Sequence, residues 1–196
     1  MRPGGGKQKG SAFEREVGKI LTASYYPEDD GIFQRIYSHP IPKKGETRGD
    51  LKALKYLLVD GEKQLVFDNS WPFTVECKSW KEIKYPFCGL YAQDSEIFDW
   101  MKQADEVAMV DKKTSLVVFR LYRTAICAMI KGNDLCKLEE MFGEYPKRVY
   151  AVTKRDVQEN AKLIFMLLND FLEWIDFGIF KLSGYNKYIR TIVLKE

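Results

Sequence analysis

The chain has 196 residues, enough for one elaborated domain or for a core with a substantial extension. It is 45% hydrophobic and 14% aromatic, which excludes a disordered chain. Its net charge is only +3, so any nucleic-acid surface must be a local patch rather than an overall excess of positive charge.

Cysteine and histidine usage excludes several kinds of site. The four cysteines form no Cys-x-x-Cys pair and have no neighbouring histidine, so the sequence predicts neither a zinc knuckle nor a disulfide framework. The single histidine, His39, precedes Pro40 and fits a loop residue, which excludes most Ser-His and Cys-His triads and the His-rich zinc hydrolases. There is no 18-residue apolar run and no signal-peptide core, so we expect no membrane partner and a cytoplasmic protein.

The first ten residues are rich in glycine and contain no acid. Their basic side chains are Arg2, Lys7 and Lys9. They form either a floppy tail or a flexible basic arm that contacts phosphate. Ser11 is a good N-cap with Glu14 at the capping-box position, and the apolar spacing beyond it predicts an amphipathic helix over 11–23. Glu14 lies off the apolar stripe, so it either caps this helix or is available for chemistry.

Strand patterns and turns follow the first helix. Residues 32–37 resemble a strand, and 38–48 form a polar loop rich in Pro, Lys and Gly. The segment 51–58 is compatible with a strand or a helix. Turns are expected at Gly61 and at 68–70.

The middle of the chain has the clearest strands. Residues 73–78 predict a strand, 80–91 a polar and aromatic linker, and 92–107 a helix. Residues 115–121 and 124–130 are both strand-like, and they form either a hairpin or one long bent strand.

The C-terminal third predicts a short helix at 135–142 and a short strand at 148–152. Residues 156–175 have the strongest helical periodicity, with an apolar stripe that serves either the core or an interface. Residues 188–194 predict a closing strand.

One strand carries the residues best suited to chemistry. Glu76 and Lys78 are two residues apart in the strand at 73–78, so both side chains project from one face of the sheet. Two carboxylates and a lysine that converge at a strand end suit a divalent metal, a phosphate and an attacking water, and Asp50 is the upstream partner. The alternative is a same-face salt bridge on a solvated sheet, because charge triplets also arise by chance in a chain with 30% charged residues.

Three segments together carry a family resemblance. They are Lys9-Gly10-Ser11-Ala12-Phe13-Glu14-Arg15-Glu16, then Gly49-Asp50, then Val75-Glu76-Cys77-Lys78-Ser79. In order and spacing they resemble the PD-(D/E)xK nuclease superfamily, and more narrowly the archaeal-type Holliday junction resolvases and their phage relatives. The resemblance implies an α/β fold with a restriction-endonuclease-like core, a central mixed β-sheet flanked by helices. That core would occupy 11–130, after a basic arm at 1–10 and before an α+β extension at 131–196 packed on it.

The chain departs from the family pattern in two places. Asp50 and Glu76 are 26 residues apart, so an insertion around 52–70 must be assumed. Arg48-Gly49 stands where the proline of the motif would be, and that proline is its least constrained element.

The resemblance implies a role for each site residue. Asp50 and Glu76, with the backbone carbonyl of Cys77, would bind Mg²⁺, or Mn²⁺ in its place. Glu14 would reach the metal from its helix, directly or through water. Lys78 would orient or help deprotonate the attacking water and stabilise the charge of the transition state. The DNA-binding candidates are Arg2, Lys7, Lys9, Arg15 and Arg48.

The expected function is metal-dependent DNA endonuclease, with a Holliday junction or other branched DNA as substrate, in DNA recombination. Two cuts on opposed strands imply a homodimer, whose apolar surface would come from 115–130 or 156–175. A nuclease of the same fold that cuts linear duplex is the closest alternative. A non-catalytic DNA-binding protein and a structural protein with fortuitous salt bridges are the others. Clustered acids beside phosphate argue against the pure binder.

Overall fold

The computed structural model describes residues 5–36, 49–80, 96–121, 125–153 and 162–183. The helices in these residues are α1 (Gly5–Tyr25), α2 (Glu96–Asp111), α3 (Gly132–Phe142), α4 (Leu168–Trp174) and α5 (Phe177–Ser183). The strands are β1 (Gly31–Arg35), β2 (Leu51–Val59), β3 (Glu62–Phe67), β4 (Phe73–Trp80), β5 (Thr114–Leu121), β6 (Ile126–Lys131), β7 (Tyr150–Thr153) and β8 (Lys162–Leu167). No helix among the described residues is long and apolar enough to cross a membrane.

The strands form one mixed sheet in the order β1-β2-β4-β5-β6-β8-β7, and β3 pairs with β2 outside this path. Strands β4 and β5 run parallel, with α2 between them in the chain. The other described pairs are antiparallel. A mixed sheet flanked by helices is the α/β architecture that the sequence predicts.

Alternating side chains of the central strands build a core on each face of the sheet. Leu116 and Val118 of β5 pack into the larger core with α1, α3, α4 and α5. Val117 and Phe119 of the same strand pack into the second core with α2. This period-two alternation places α1 and α2 on opposite faces of β4, the strand that carries the predicted site.

The first helix starts earlier than the sequence predicts. It begins at Gly5, so residues 5–10 of the predicted arm are helical, and residues 1–4 lie outside the described part. Ser11 is inside the helix, and the predicted capping box with Glu14 is therefore wrong. Good helix formers in the segment 7–9 carry the helix through the glycine that follows them.

The prediction of one long helix at 156–175 is wrong. Residues 162–167 form β8, α4 begins only at Leu168, and 156–161 lie outside the described residues. Strand β8 lies between β6 and β7, and its residues 163–166 are all buried. An apolar run covered on both faces lacks the alternation of a half-exposed strand, so it also satisfies helical spacing.

Other predicted elements are confirmed. The ambiguous segment at 51–58 is strand β2, and residues 115–130 contain an antiparallel β5–β6 pair. The segment 52–70, for which the sequence predicts an insertion, contains the paired strands β2 and β3, and its status as an insertion stays a prediction. The predicted loop at 38–48, the linker from 81 and the strand at 188–194 lie outside the described residues.

The described part of the C-terminal extension continues the sheet of the core, since β8 pairs with β6. The proposed boundary at residue 130 lies within β6, and the division into arm, core and extension stays a prediction.

Candidate active site

Strand β4 places Glu76 and Lys78 on the same face of the sheet, as predicted. Lys78 Nζ donates a hydrogen bond to Glu76 Oε1 at 2.8 Å, and the Glu76 side chain is almost fully buried. Cys77, between them, points to the opposite face and packs into the larger core. Glu76 and Lys78 thus form the same-face ion pair of the alternative, but Glu76 is buried and the Lys78 side chain is only 19% exposed, so the pair is largely shielded from solvent.

Gln103 completes this part of the site from helix α2. Its Oε1 accepts a hydrogen bond from Lys78 Nζ at 2.8 Å, and its Nε2 donates one to Glu76 Oε1 at 2.7 Å. The three side chains form a closed triangle that fixes the ammonium beside the carboxylate. Sequence analysis missed Gln103, because α2 carries several polar side chains and only its packing on β4 singles out this one.

Asp50 is held against β4 by main-chain contacts. Its N–H donates to the carbonyl of Val75 at 2.9 Å, and its Oδ2 accepts from the N–H of Cys77 at 2.7 Å. Leu51 pairs with Val75 in an antiparallel register, so Asp50 lies opposite Glu76.

Gly49 makes the approach of this segment to β4 possible. A Cβ at this position would lie 2.9 Å from both the Val75 carbonyl oxygen and a methyl carbon of Thr74. A side chain at residue 49 would therefore push the chain, and Asp50 with it, away from Glu76.

Glu14 reaches the site from helix α1. Its carboxylate forms an ion pair with Arg35 at the end of β1, a second residue that sequence analysis missed. Burial and the negative charge of Asp50 raise the pKa of Glu14, against the attraction of Arg35. Glu14 and Asp50 are thus close enough for their negative charges to repel each other.

The same electrostatics act on the two sheet carboxylates. Burial raises the pKa of Glu76, and the charges of Asp50 and Glu14 add to this, while Lys78 opposes it. Burial also raises the pKa of Asp50, against the Cys77 N–H and the positive charges of Lys78 and Arg35. The site therefore collects more buried negative charge than its protein donors neutralise.

A divalent cation would relieve this repulsion, and carboxylate oxygens are its preferred ligands. Among the described residues, however, no group of three or more His, Cys, Asp or Glu side chains stands in an arrangement that could hold a metal ion. Each predicted acid contacts a protein donor instead: Arg35 for Glu14, a main-chain N–H for Asp50, and Lys78 for Glu76. Metal binding by Asp50, Glu76 and the Cys77 carbonyl therefore stays a prediction.

The predicted DNA-binding residues are only partly described. Arg2 and Arg48 lie outside the described residues, and for Lys7 and Lys9 the structure describes the backbone of α1 alone. Arg15 is exposed and lies next to Glu14 in the chain. Its positive charge opposes the rise in the pKa of Glu14.

The chain can be compared with solved structures and with curated proteins. Among solved structures, the chain is similar to Archaeoglobus fulgidus Hjc, a Holliday junction resolvase from an archaeal hyperthermophile. The identity is 14% and the TM-score 0.37, over 83% of this chain and 91% of that one. No curated protein matches the chain at a significant level.

A family comparison covers most of the residues that build the site. Residues 5–180 match the protein family described as "Phage putative PDDEXK endonuclease". This range includes Glu14, Asp50, Glu76 and Lys78. The chain belongs to this family of phage PDDEXK nucleases.

Proposed function

We propose that the protein is a Mg²⁺-dependent endonuclease that hydrolyses phosphodiester bonds of DNA at the site formed by Asp50, Glu76 and Lys78. The observation that supports this most directly is the buried acid pair. Each carboxylate has a raised pKa, from burial and, for Glu76, from the charge of its neighbour. A structural ion pair gains nothing from such repulsion, whereas a cation site needs concentrated negative charge.

Asp50, Glu76 and the Cys77 carbonyl would hold the ion, with Mn²⁺ able to replace Mg²⁺. Glu14 would reach it through water, since its carboxylate is paired with Arg35. When bound, the ion supplies charge stabilisation at the phosphoryl oxygens and lowers the pKa of a water molecule.

Lys78 would act on the scissile phosphate and the attacking water. Its ammonium is fixed by Glu76 and Gln103, so it needs little reorganisation to stabilise the charge that develops on the phosphoryl oxygens. Gln103 serves as a positioning residue through its two hydrogen bonds. The flanking phosphates would be contacted by Arg2, Lys7, Lys9, Arg15 and Arg48, of which Lys7, Lys9 and Arg15 lie on α1.

Branched DNA is the substrate we propose, on the resemblance of Lys9–Glu16 to the opening of the junction resolvases. Two opposed cuts call for two sites related by a two-fold axis, and hence for a homodimer. A bacterial or phage-infected cell would provide such DNA in its cytoplasm.

A cleavage assay on a four-way junction and a matched linear duplex tests the proposal. Purified protein with Mg²⁺ should cut the junction in preference to the duplex, and EDTA or Asp50→Asn should abolish the products. Equal cutting of both substrates would replace the resolvase proposal by a linear-duplex nuclease. Binding without any cleavage, in Mg²⁺ or Mn²⁺, would leave a non-catalytic DNA-binding protein.

Light scattering at micromolar concentration, with and without junction DNA, tests the oligomeric state. We expect a dimer. A strict monomer in both conditions would contradict junction resolution by paired sites.

A further inference from the structure

The hairpin of β2 and β3 is a ribbon that extends beyond the main sheet. Strand β3 pairs with β2 alone, outside the path of the other strands. From residue 56 to residue 65 every side chain of the ribbon is exposed. A two-stranded ribbon that buries neither face gains little stability by itself, so its exposed side chains need another explanation.

One face of the ribbon combines apolar, aromatic and basic side chains. Cross-strand pairing aligns its residues, which are Lys52, Leu54, Tyr56, Leu58, Lys63, Leu65 and Phe67. We call this the basic ribbon face. Leu58 is 73% exposed and Phe67 is 62% exposed, which are large values for apolar side chains.

Lysine and aromatic rings lie together twice on the basic ribbon face. Lys52 Nζ lies 5.5 Å from the centre of the Phe67 ring, and Lys63 Nζ lies 5.8 Å from the centre of the Tyr56 ring. The strand positions of this face carry no carboxylate, since Glu62 alternates to the other face. Asp111, at the end of α2, is the acid that Lys52 contacts, at 3.6 Å.

A cavity of about 530 Å³ lies at the base of the same face. Its lining includes Gln34, Arg35, Lys52, Leu54, Leu65 and Phe67. Arg35 is the partner of Glu14, and Lys52 follows Asp50 by two residues on β2. The cavity therefore adjoins the candidate active site.

We propose that the basic ribbon face binds unpaired DNA nucleotides that flank the cut phosphate. This inference deepens the proposed function and rests on it. Bases would stack on Phe67 and Tyr56, and the paired ammonium groups of Lys52 and Lys63 would contact the neighbouring phosphates. Each lysine–aromatic pair thus matches the two parts of a nucleotide, and the cavity beside Phe67 accommodates the base nearest the site.

Charge favours nucleic acid over a second copy of the chain as the occupant. A two-fold interface is self-complementary, so two basic ribbon faces would place the lysines of one copy near those of the other. Such like-charge contacts are unfavourable, whereas phosphate neutralises them.

The test uses the full chain in EDTA and a single-stranded oligonucleotide that contains the fluorescent base 2-aminopurine. Binding should quench the fluorescence by stacking. Phe67→Leu and Tyr56→Leu keep apolar volume but remove the ring, and each should weaken binding by about 5- to 100-fold. Leu57→Ala, on the opposite face of the ribbon, is the matched control and should bind like the wild type.

Lys52→Ala or Lys63→Ala should reduce the slope of log affinity against log salt by about 1.

Because this assay contains no divalent metal, it separates the two proposals. Quenching that depends on Phe67 supports the inference even where the wild type fails to cleave DNA in Mg²⁺. Cleavage by the wild type without Phe67-dependent quenching would overturn the inference and leave the nuclease intact. Equal losses in Leu57→Ala and Phe67→Leu, with unchanged thermal unfolding, would also overturn it.

Leu58→Lys distinguishes a second copy from DNA. It adds a positive charge to the basic ribbon face, so DNA binding should be retained or tightened. Leu58→Lys would instead dissociate a dimer in light scattering if the face were a self-association surface. If it does so, and none of the ribbon variants changes DNA binding, the inference is wrong.

Discussion

Asp68 and Glu76 are buried to the same extent, each only 3% exposed, yet their pKa values shift in opposite directions. Burial raises the pKa of Asp68, but hydrogen bonds from Ser70 and Tyr26 outweigh it and hold the pKa below its ordinary value. Tyr26 Oη donates to Asp68 Oδ2 at 2.8 Å, and the Ser70 N–H donates to Oδ1 at 3.0 Å. Burial raises the pKa of Glu76, and neighbouring acids raise it further.

The contrast favours a structural role for Asp68 and agrees with the metal-binding role proposed for Glu76. The turn at 68–70 surrounds its acid with donors, so ionised Asp68 stabilises the fold. The site at β4 brings acids together around one lysine, so ionisation there costs stability unless a cation binds. Proteins keep such unfavourable groups where function requires them.

The largest expected effect is loss of cleavage when a proposed metal ligand is neutralised. Asp50→Asn or Glu76→Gln should reduce the cleavage rate by about three orders of magnitude or more, because a metal held by these residues would contribute several kcal/mol to the transition state. DNA binding should persist or tighten, since a negative charge beside phosphate is removed. Gel cleavage and fluorescence anisotropy measure the two effects, with the exposed acid Asp99→Asn on α2 as control. Full activity in either site variant would contradict the nuclease proposal.

Lys78→Ala should reduce cleavage by roughly 100-fold, the effect of removing one transition-state donor. Gln103→Ala should cost less, roughly 10-fold, because it only loosens the position of Lys78. Single-turnover rates in Mg²⁺ measure both. Metal-induced stabilisation in thermal unfolding should survive in both variants, since neither residue is a proposed ligand. Global unfolding of Lys78→Ala would show instead that the ion pair with Glu76 is structural.

Asp68→Ala should lower the free energy of unfolding by about 1–3 kcal/mol, because Tyr26 and Ser70 lose a buried acceptor. The depressed pKa also sets a pH dependence. The stability from ionised Asp68 is fully present above the unfolded pKa, about 3.9, and is lost as the pH falls through the lower folded pKa. Urea unfolding of the wild type and Asp68→Asn between pH 2 and pH 7 measures this. Parallel stability curves for the two proteins would contradict the assigned role of Asp68.

Sequence patterns predicted those parts of the site that depend on local order. Alternation along β4 placed Glu76 and Lys78 on one face, and the family resemblance brought Asp50 and Glu14 to them. Gln103 and Arg35 escaped prediction, because their roles come from the packing of α2 on β4 and of α1 on β1.

The fold shows the same division between local and long-range information. Strands β5 and β6 are adjacent in the chain and carry β-branched residues, so the sequence predicts them although their central residues are buried. Strand β8 is buried in the same way, but its apolar residues continue at helical spacing into α4, so the sequence alone predicts a helix there. The donors around Asp68 were also not predicted, since Tyr26 is 42 residues away in the chain.

The smallest expected effect is a gain in stability for Asp50→Asn, opposite to the loss of stability expected for Asp68→Ala. Folding raises the pKa of Asp50, so the folded state binds this proton more tightly than the unfolded state. The stabilising contribution is then present at low pH and lost as the pH rises through the folded pKa. At pH 7 in EDTA, Asp50→Asn should therefore raise the melting temperature by about 2–4 °C, which corresponds to roughly 1 kcal/mol in a chain of this size. The amide oxygen of asparagine can still accept the hydrogen bond from the Cys77 N–H.

Mg²⁺ should raise the melting temperature of the wild type and leave that of Asp50→Asn unchanged, because only the carboxylate attracts the ion. Differential scanning fluorimetry with and without Mg²⁺ makes the comparison. A lower melting temperature for Asp50→Asn in EDTA would show that Asp50, like Asp68, is a structural carboxylate.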